Sequence, residues 1–352
     1  MKSISLTLFL ILVIILGITL SQSWADVKEV TYGAFKITQE LTLPGSPVII
    51  YDAITGDISG WWDHTFSENP LHFFMEAKPG GRFFEQFDGE GNGVLHATVI
   101  AADRGKLLRF DGPLGLAGRA VKMVHTYQFS PVGEDSTRIQ LTVSLSGEIE
   151  ENLAKTVDRV WHHFLVERFK PYIIEGKHLV TPFEDNLKWG YKNNRGEIVI
   201  QAKYQMANEF NRFGIAAVVD DQGWVYINKQ GKYLLRPHII DNGPDYFNEG
   251  LARYVVDGKI GFMNEYGVKV IPATFDYVNP FSDGLAAFCQ GCSKVSKGEY
   301  HRYEGGKWGY INKYGEIVVK PEYESAGPFQ DGKAEVLREG QKIVLRKEDI
   351  VE

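Results

Sequence analysis

The chain has 352 residues, 44% of them apolar and 24% charged, which is enough for two folded domains and too apolar for wholesale disorder. Its formal net charge is −7 with no basic block, which argues against nucleic-acid binding, since that affinity rests on neutralising phosphates. Cys289 and Cys292 are the only cysteines, too few for a disulfide-built scaffold, so the fold must rest on apolar burial.

The first predicted element is a leader. Lys2 precedes the apolar run Leu6–Leu20, and Ser23-Trp24-Ala25 supplies the small residues of a cleavage site. Residues 1–25 are therefore expected to be a signal peptide cut after Ala25, and the body to be exported, periplasmic or secreted. The alternative is an uncleaved anchor, because Ile4–Leu20 approaches spanning length. Membrane contact is expected only in that case.

Residues 26–180 read as one domain. An extended stretch, Val30–Leu43, precedes Ser46-Pro47, a helix cap followed by a proline at the first helical position, and the helix should reach about Ile54. Trp61-Trp62 follow Gly60. Strand-like segments come next, near Phe73–Glu76, Arg82–Phe87, Val94–Ile100, Leu107–Phe110, Val121–Phe129 and Arg138–Leu145. An amphipathic helix over Glu151–Ile174 ends the domain. Its apolar face carries Leu153, Val157, Val160, Trp161, Phe164, Leu165 and Tyr172.

The strand Val121–Phe129 alternates, so Met123, His125 and Tyr127 share the face that looks toward that helix. His125 and Tyr127 could do acid–base work on a carbonyl substrate, could contact a ligand, or could be ordinary core residues. Arg168 lies within the helix's apolar stripe and could hold a ligand carboxylate or snorkel to solvent. Trp61, Trp62 and His64 are placed at a cavity mouth. His162 and His163 fall on the helix flank, exposed. The expected ligand-binding set is Trp61, Trp62, Met123, His125, Tyr127, Trp161, Phe164 and Arg168.

Residues 181–352 are repetitive. Lys188-Trp189-Gly190-Tyr191 recurs as Lys307-Trp308-Gly309-Tyr310, with degenerate copies at Gly223-Trp224-Val225-Tyr226 and Lys259-Ile260-Gly261-Phe262. Each is followed by a turn with glycine, at Gly196, Gly231, Gly267 and Gly315, and then by a short apolar strand. Phe247…Gly250-Leu251-Ala252 and Phe281…Gly284-Leu285-Ala286 close the second and third units. The four copies lie near 188–218, 222–255, 259–288 and 307–337. A lone hairpin cannot bury its own face, so the units must stack, with their Trp and Phe positions as core and Arg338–Glu352 capping the last.

Cys289-Gln290-Gly291-Cys292 sits in an insertion before the fourth copy, with His301 downstream. A local disulfide is the simplest reading in an oxidising compartment. Zinc on Cys289, Cys292 and His301 would need a further ligand, and no helix follows to make a thioredoxin-like dithiol. There is no phosphate-binding Gly-rich loop before a helix, no Gly-x-Ser-x-Gly elbow and no His-Glu-x-x-His, so no cofactor is expected.

The second half closely resembles the WG repeat family. The first half resembles the START-like (SRPBCC) superfamily, nearest its polyketide cyclase/dehydratase-like branch. That resemblance is carried by Trp61-Trp62, Lys78-Pro79-Gly80-Gly81-Arg82-Phe83, Gly93-Val94, Leu107-Leu108-Arg109-Phe110 and the terminal helix. It implies an α+β helix-grip domain, with a strand, a helix pair, antiparallel strands and a long helix around an apolar cavity. It does not fix a function, since members bind lipids, hormones or polyketides, act as cyclases or serve as co-chaperones. The expectation is an exported binding protein with a small apolar ligand in the first domain and a protein or envelope partner on the repeats. A cyclase- or hydrolase-like enzyme and a purely structural interaction module are the alternatives.

Overall fold

The computed structural model describes residues 30–297 and 300–350, and of 297 and 300–302 the backbone only. The expected signal peptide lies outside the described residues, among which no helix is long and apolar enough to cross a membrane.

The first domain is an eight-stranded antiparallel sheet: β1 (Tyr32–Pro44), β2 (Gly56–Asp57), β3 (His72–Met75), β4 (Arg82–Gln86), β5 (Gly93–Asp103), β6 (Leu107–Asp111), β7 (Val121–Val132) and β8 (Ser136–Glu148). The strand order is β1-β8-β7-β6-β5-β4-β3-β2, so β2 to β8 are each beside their neighbours in sequence. The one long-range pairing joins β1 to β8, from Tyr32↔Glu148 to Pro44↔Ser136. Helix α1 (Pro47–Ile54) starts where Ser46 accepts a hydrogen bond from the Ile49 N–H at 3.4 Å. The expected helix pair is not formed. Gly56–Asp57 is taken up as an edge strand, and the Trp61 and Trp62 N–H groups donate to the Ile58 carbonyl (3.2 and 3.0 Å), which makes a single turn.

The terminal helix begins as α2 (Leu153–His162), winds through a π-helical segment (His163–Phe169) and ends as α3 (Lys170–Ile174). Leu153, Val157, Trp161, Phe164, Leu165 and Phe169 are buried in one core with Val99, Phe110, Leu141 and Val143 of the sheet. Each such side chain contributes roughly 1.5–3 kcal/mol by leaving water.

In the second domain the Trp-Gly-Tyr strand is the middle of a three-stranded meander, not one arm of a hairpin. Lys259–Asn264 pairs with Lys269–Phe275 after it and with Leu251–Val256 before it. Leu251–Val256 closes the preceding copy, so successive copies interlock through the sheet. For the first copy that role falls to Val180–Asp185, directly after the first domain. The insertion extends the turn between Leu285–Gln290 and Lys307–Asn312 as a hairpin, Ser293–Lys297 with Tyr300–Glu304. The tail adds the strand Gln341–Arg346 beside Lys333–Arg338, and Lys347 Nζ donates to the Asp283 carbonyl at 2.7 Å. Residues 351–352 of the expected cap lie outside the described residues.

The turn chemistry is the same in all four copies. Asn193, Asn228, Asn264 and Asn312 each accept, on Oδ1, the N–H groups two and four residues on, at 2.9–3.2 Å. The glycine three residues after each asparagine has φ between 74° and 82°, which favours glycine. The second residue after each tryptophan position packs on the closing phenylalanine: Tyr191 on Phe210, Tyr226 on Phe247, Phe262 on Phe281 and Tyr310 on Phe329. The tryptophans themselves are less uniform than expected. Trp308 is buried, whereas Trp189 and Trp224 are half-buried.

The glycine after tryptophan has a steric cause. A Cβ on Gly190, Gly261 or Gly309 would lie 2.3–2.5 Å from the carbonyl oxygen of Ile200, Ile271 or Val319 on the bulged neighbouring strand. The second copy tolerates Val225 because its neighbour, Tyr233–Leu235, stops short of that approach. There the Arg236 guanidinium donates to the Trp224 carbonyl at 3.3 Å instead.

The central copies dock on the edge of the first domain's sheet. Asn264 Nδ2 donates to Glu76 Oε1 (2.8 Å), Asn228 Nδ2 to the Leu71 carbonyl (3.2 Å), and the Ala77 N–H to Tyr266 Oη (3.0 Å). Phe74, Tyr266 and Val268 form a small shared core, with Phe84 and Phe213 packed against it. In the first and last copies the same asparagine amide stays local, on Glu197 (2.6 Å) and Glu316 (2.7 Å). Lys232 and Val268 replace those glutamates in the docking copies, which frees the amides for the other domain.

Candidate functional site

A cavity of about 260 Å³ lies between α2 and the sheet. Trp62, Met123, Val157, Trp161 and Phe164 make its apolar wall, and His64, Thr65, Phe66 and Gly115 are exposed at its rim. Trp62 stacks on Phe164 (centroids 3.7 Å apart) and donates its Nε1–H to the His64 carbonyl at 2.8 Å, which fixes the rim loop to the helix.

The buried polar group of this wall is His96, which the sequence reading did not single out. Its Nε2 lies 3.2 Å from Glu85 Oε2. Glu85 is fully buried and also accepts the Phe66 and Ser67 N–H groups at 2.9 and 2.7 Å. A carboxylate accepts, so Nε2 donates and Nδ1 keeps its lone pair. Burial holds the His96 pKa below the usual histidine value, against the opposing pull of Glu85, so the ring is neutral at neutral pH. The sequence did carry a signal: Glu85 on β4 and His96 on β5 are polar residues inside aromatic and β-branched strands.

His125 and Tyr127 face the helix as their alternation requires, but they lie in packed core and not on the cavity wall. The ring of His125 stacks on Phe110 (4.5 Å) and meets Trp161 (5.0 Å), and neither of its nitrogens has a hydrogen-bond partner. Burial lowers its pKa to about 3. Burial likewise raises the Tyr127 hydroxyl well above its ordinary value. Neither group is poised for proton transfer near pH 7.

This geometry sets an acid limit on stability. An unfolded chain binds a proton at His125 below about pH 6.5, while the native chain refuses it until about pH 3, so stability is lost as pH falls across that window. Burial also lowers the pKa of His72, His178 and His238, the last to about 4. Thermal melts from pH 7 to pH 4 should show a steep fall in Tm, and His125→Phe should flatten it. An equal slope in that variant would mean that His125 is protonated in the native state.

Trp61 is buried against Phe169 (4.9 Å) behind Trp62 rather than at the mouth. Arg168 is not in the cavity: its Nε pairs with Asp63 Oδ2 at 3.1 Å, with the side chain 43% exposed. His163 joins the same cluster, its Nε2 3.0 Å from both Asp63 oxygens and its Nδ1 2.8 Å from Glu167. These two carboxylates raise its pKa, Glu167 first. The i→i+5 winding makes this possible, since it sets residues 163 and 168 on one side, where 3.6 residues per turn would splay them.

Cys289 and Cys292 are disulfide-bonded, with Cα atoms 5.9 Å apart, at the base of the inserted hairpin. The bond takes both thiols away from the zinc set considered with His301, whose side chain lies outside the described residues. A larger cleft, about 890 Å³, opens between the domains; Glu76 with Arg82, Asp52 with Arg104 and Glu249 with Lys313 are ion-paired in it, and Lys78, Arg212, Glu265 and Lys269 also line it.

An antiparallel sheet closed by a C-terminal helix over a small apolar cavity, followed by an interlocked β-array, defines a two-domain protein of cavity and repeats. The family model of the WG containing repeat matches the array four times, at residues 189–224, 225–259, 260–291 and 308–341. A comparison with curated proteins finds no match. Among solved structures, protein CV1439 from Chromobacterium violaceum is 15% identical over 39% of this chain and 96% of its own, with a TM-score of 0.28. The Aha1 dimer from Colwellia psychrerythraea is 20% identical over 40% and 96%, also at 0.28. Truncated norcoclaurine synthase from Thalictrum flavum is 14% identical over 42% and 99%, at 0.29.

Proposed function

We propose that this chain is an exported binding protein whose first domain, a helix-grip domain, holds a small, mostly apolar molecule with one hydrogen-bond donor, and whose WG array engages a protein or envelope partner. The observation that carries the ligand reading is the apolar cavity with one buried, oriented imidazole acceptor, His96 held by Glu85. A cavity of about 150 Å³ admits benzene, so about 260 Å³ suits on the order of ten non-hydrogen atoms. That size favours phenols and short aromatic alcohols over sterols or long acyl chains. Export is supported by the leader pattern before Asp26 and by the disulfide, which persists in an oxidising compartment. A second reading, a cyclase- or hydrolase-like enzyme, is favoured by one feature, the His96–Glu85 pair as an oriented general base.

The test uses the full chain, because isolating the first domain would uncover Phe74. Native mass spectrometry of the exported protein should give a chain beginning at Asp26 with a small adduct. Calorimetric titration with phenols should then show saturable binding that Met123→Trp abolishes with little change in Tm. His96→Ala should erase the preference for a phenol over its methyl ether, worth about 1–2 kcal/mol. If no probe binds, or if Met123→Trp binds as well as the parent, the cavity is not a ligand site. Turnover that His96→Ala removes would establish the enzyme reading.

A further inference from the structure

The rim loop and the π segment bring together three side chains, of which only His64 also borders the ligand cavity. Asp63, His64 and His163 each offer one donor atom, and these atoms lie within 4.8 Å of one another. We propose that these three residues bind a divalent transition ion of the zinc class at the mouth of the cavity.

The donor set is two imidazoles and one carboxylate, which suits zinc and its borderline neighbours rather than calcium or magnesium. Two donors each about 2.1 Å from such an ion stand about 3.0–3.4 Å apart. The 3.0 Å between His163 Nε2 and Asp63 Oδ1 already meets that spacing. Arg168 bonds Oδ2 of the same carboxylate, which leaves Oδ1 for the ion. His64 is exposed, and its ring lies parallel to that of His163 (5.3 Å, 17°), so a side-chain rotation brings it into range.

Two features go beyond an accidental cluster. Glu167 takes His163 Nδ1 at 2.8 Å, the outer carboxylate that fixes a ligating imidazole's tautomer and orientation. The Trp62 indole bonded to the His64 carbonyl anchors the other half of the set to the helix. Three protein ligands leave a fourth position for water or a ligand donor, and His64 belongs to the cavity rim.

The full chain, stripped with chelator, should be titrated with Zn²⁺ by calorimetry and with Co²⁺ by visible absorption. We expect one saturable site per chain in the micromolar range or tighter, with tetrahedral or five-coordinate cobalt bands. Asp63→Asn and His64→Ala should each weaken binding at least about tenfold, and Glu167→Gln by roughly 10–100-fold. His162→Ala, one residue outside the set, should leave it unchanged. Thermal melts confirm that these surface variants are folded. Absence of saturable binding, or equal affinity in both Asp63→Asn and His64→Ala, overturns the site and leaves His163 as an ion-paired imidazolium.

Discussion

Asp245→Ala is expected to destabilise the repeat array by about 3–5 kcal/mol, the range for stranding one partner of a buried ion pair. Arg253 and Asp245 have side chains only 2% exposed. Asp245 Oδ2 accepts Arg253 Nε at 2.8 Å and the Arg253 backbone N–H at 2.9 Å, and Oδ1 accepts Nη2 at 3.0 Å. Nη1 donates to the Val278 carbonyl at 3.0 Å, so one guanidinium ties the second copy's closing loop to the third copy. With the carboxylate gone, a buried cation keeps one carbonyl partner and no counter-charge. The double variant Asp245→Leu, Arg253→Met should recover most of the loss, since no charge is then left buried. Urea denaturation followed by circular dichroism measures both. A single-variant loss under about 1 kcal/mol would mean that water reaches the pair.

The second large effect concerns Trp308→Ala, which should cost about 3–5 kcal/mol, as for other large aromatics removed from a core. Trp308 stands opposite Cys289 on one side of its strand and Tyr323 on the other. Its ring meets Tyr277, on the near side of the third copy, edge-on at 5.9 Å. Tyr277 in turn stacks on Tyr303 of the inserted hairpin at 4.0 Å. Removing the indole therefore opens the contact among the third copy, the insertion and the fourth copy. Trp189→Ala should cost less, because that ring is only half-buried. Equal losses at the two positions in the same denaturation series would show that the indole acts locally on its own turn and not between copies.

Much of this protein was legible in its sequence because its signals are local. Ser46-Pro47 marks a helix start whatever surrounds it, and the recurring glycine after each Asn-x-x marks a turn that needs positive φ. The period of the Trp-Gly-Tyr motif announced an array, and alternation along Val121–Phe129 placed His125 and Tyr127 on the inner face. Alternation encodes a face and not a depth, however. Whether that face borders a cavity or solid packing depends on what covers it. Phe110 and Trp161 close over His125, while the open space lies beside Met123, Trp62 and His96.

Tertiary structure alone decided the rest. The repeats interlock because the strand closing one copy finds its ladder partner in the next, a choice of neighbour that a motif's own residues do not state. The amide nitrogens of Asn228 and Asn264 turn to the other domain because no glutamate follows to hold them locally, and their acceptors lie 157 and 188 residues away. His163 and Arg168 reach Asp63 together because the helix changes its winding at His163, which no residue in the segment announces. Each of these depends on which distant backbone arrives beside a given side chain, and that is fixed by the global closure of the sheet, as in the β1–β8 pairing that joins Tyr32 to Glu148 and Pro44 to Ser136.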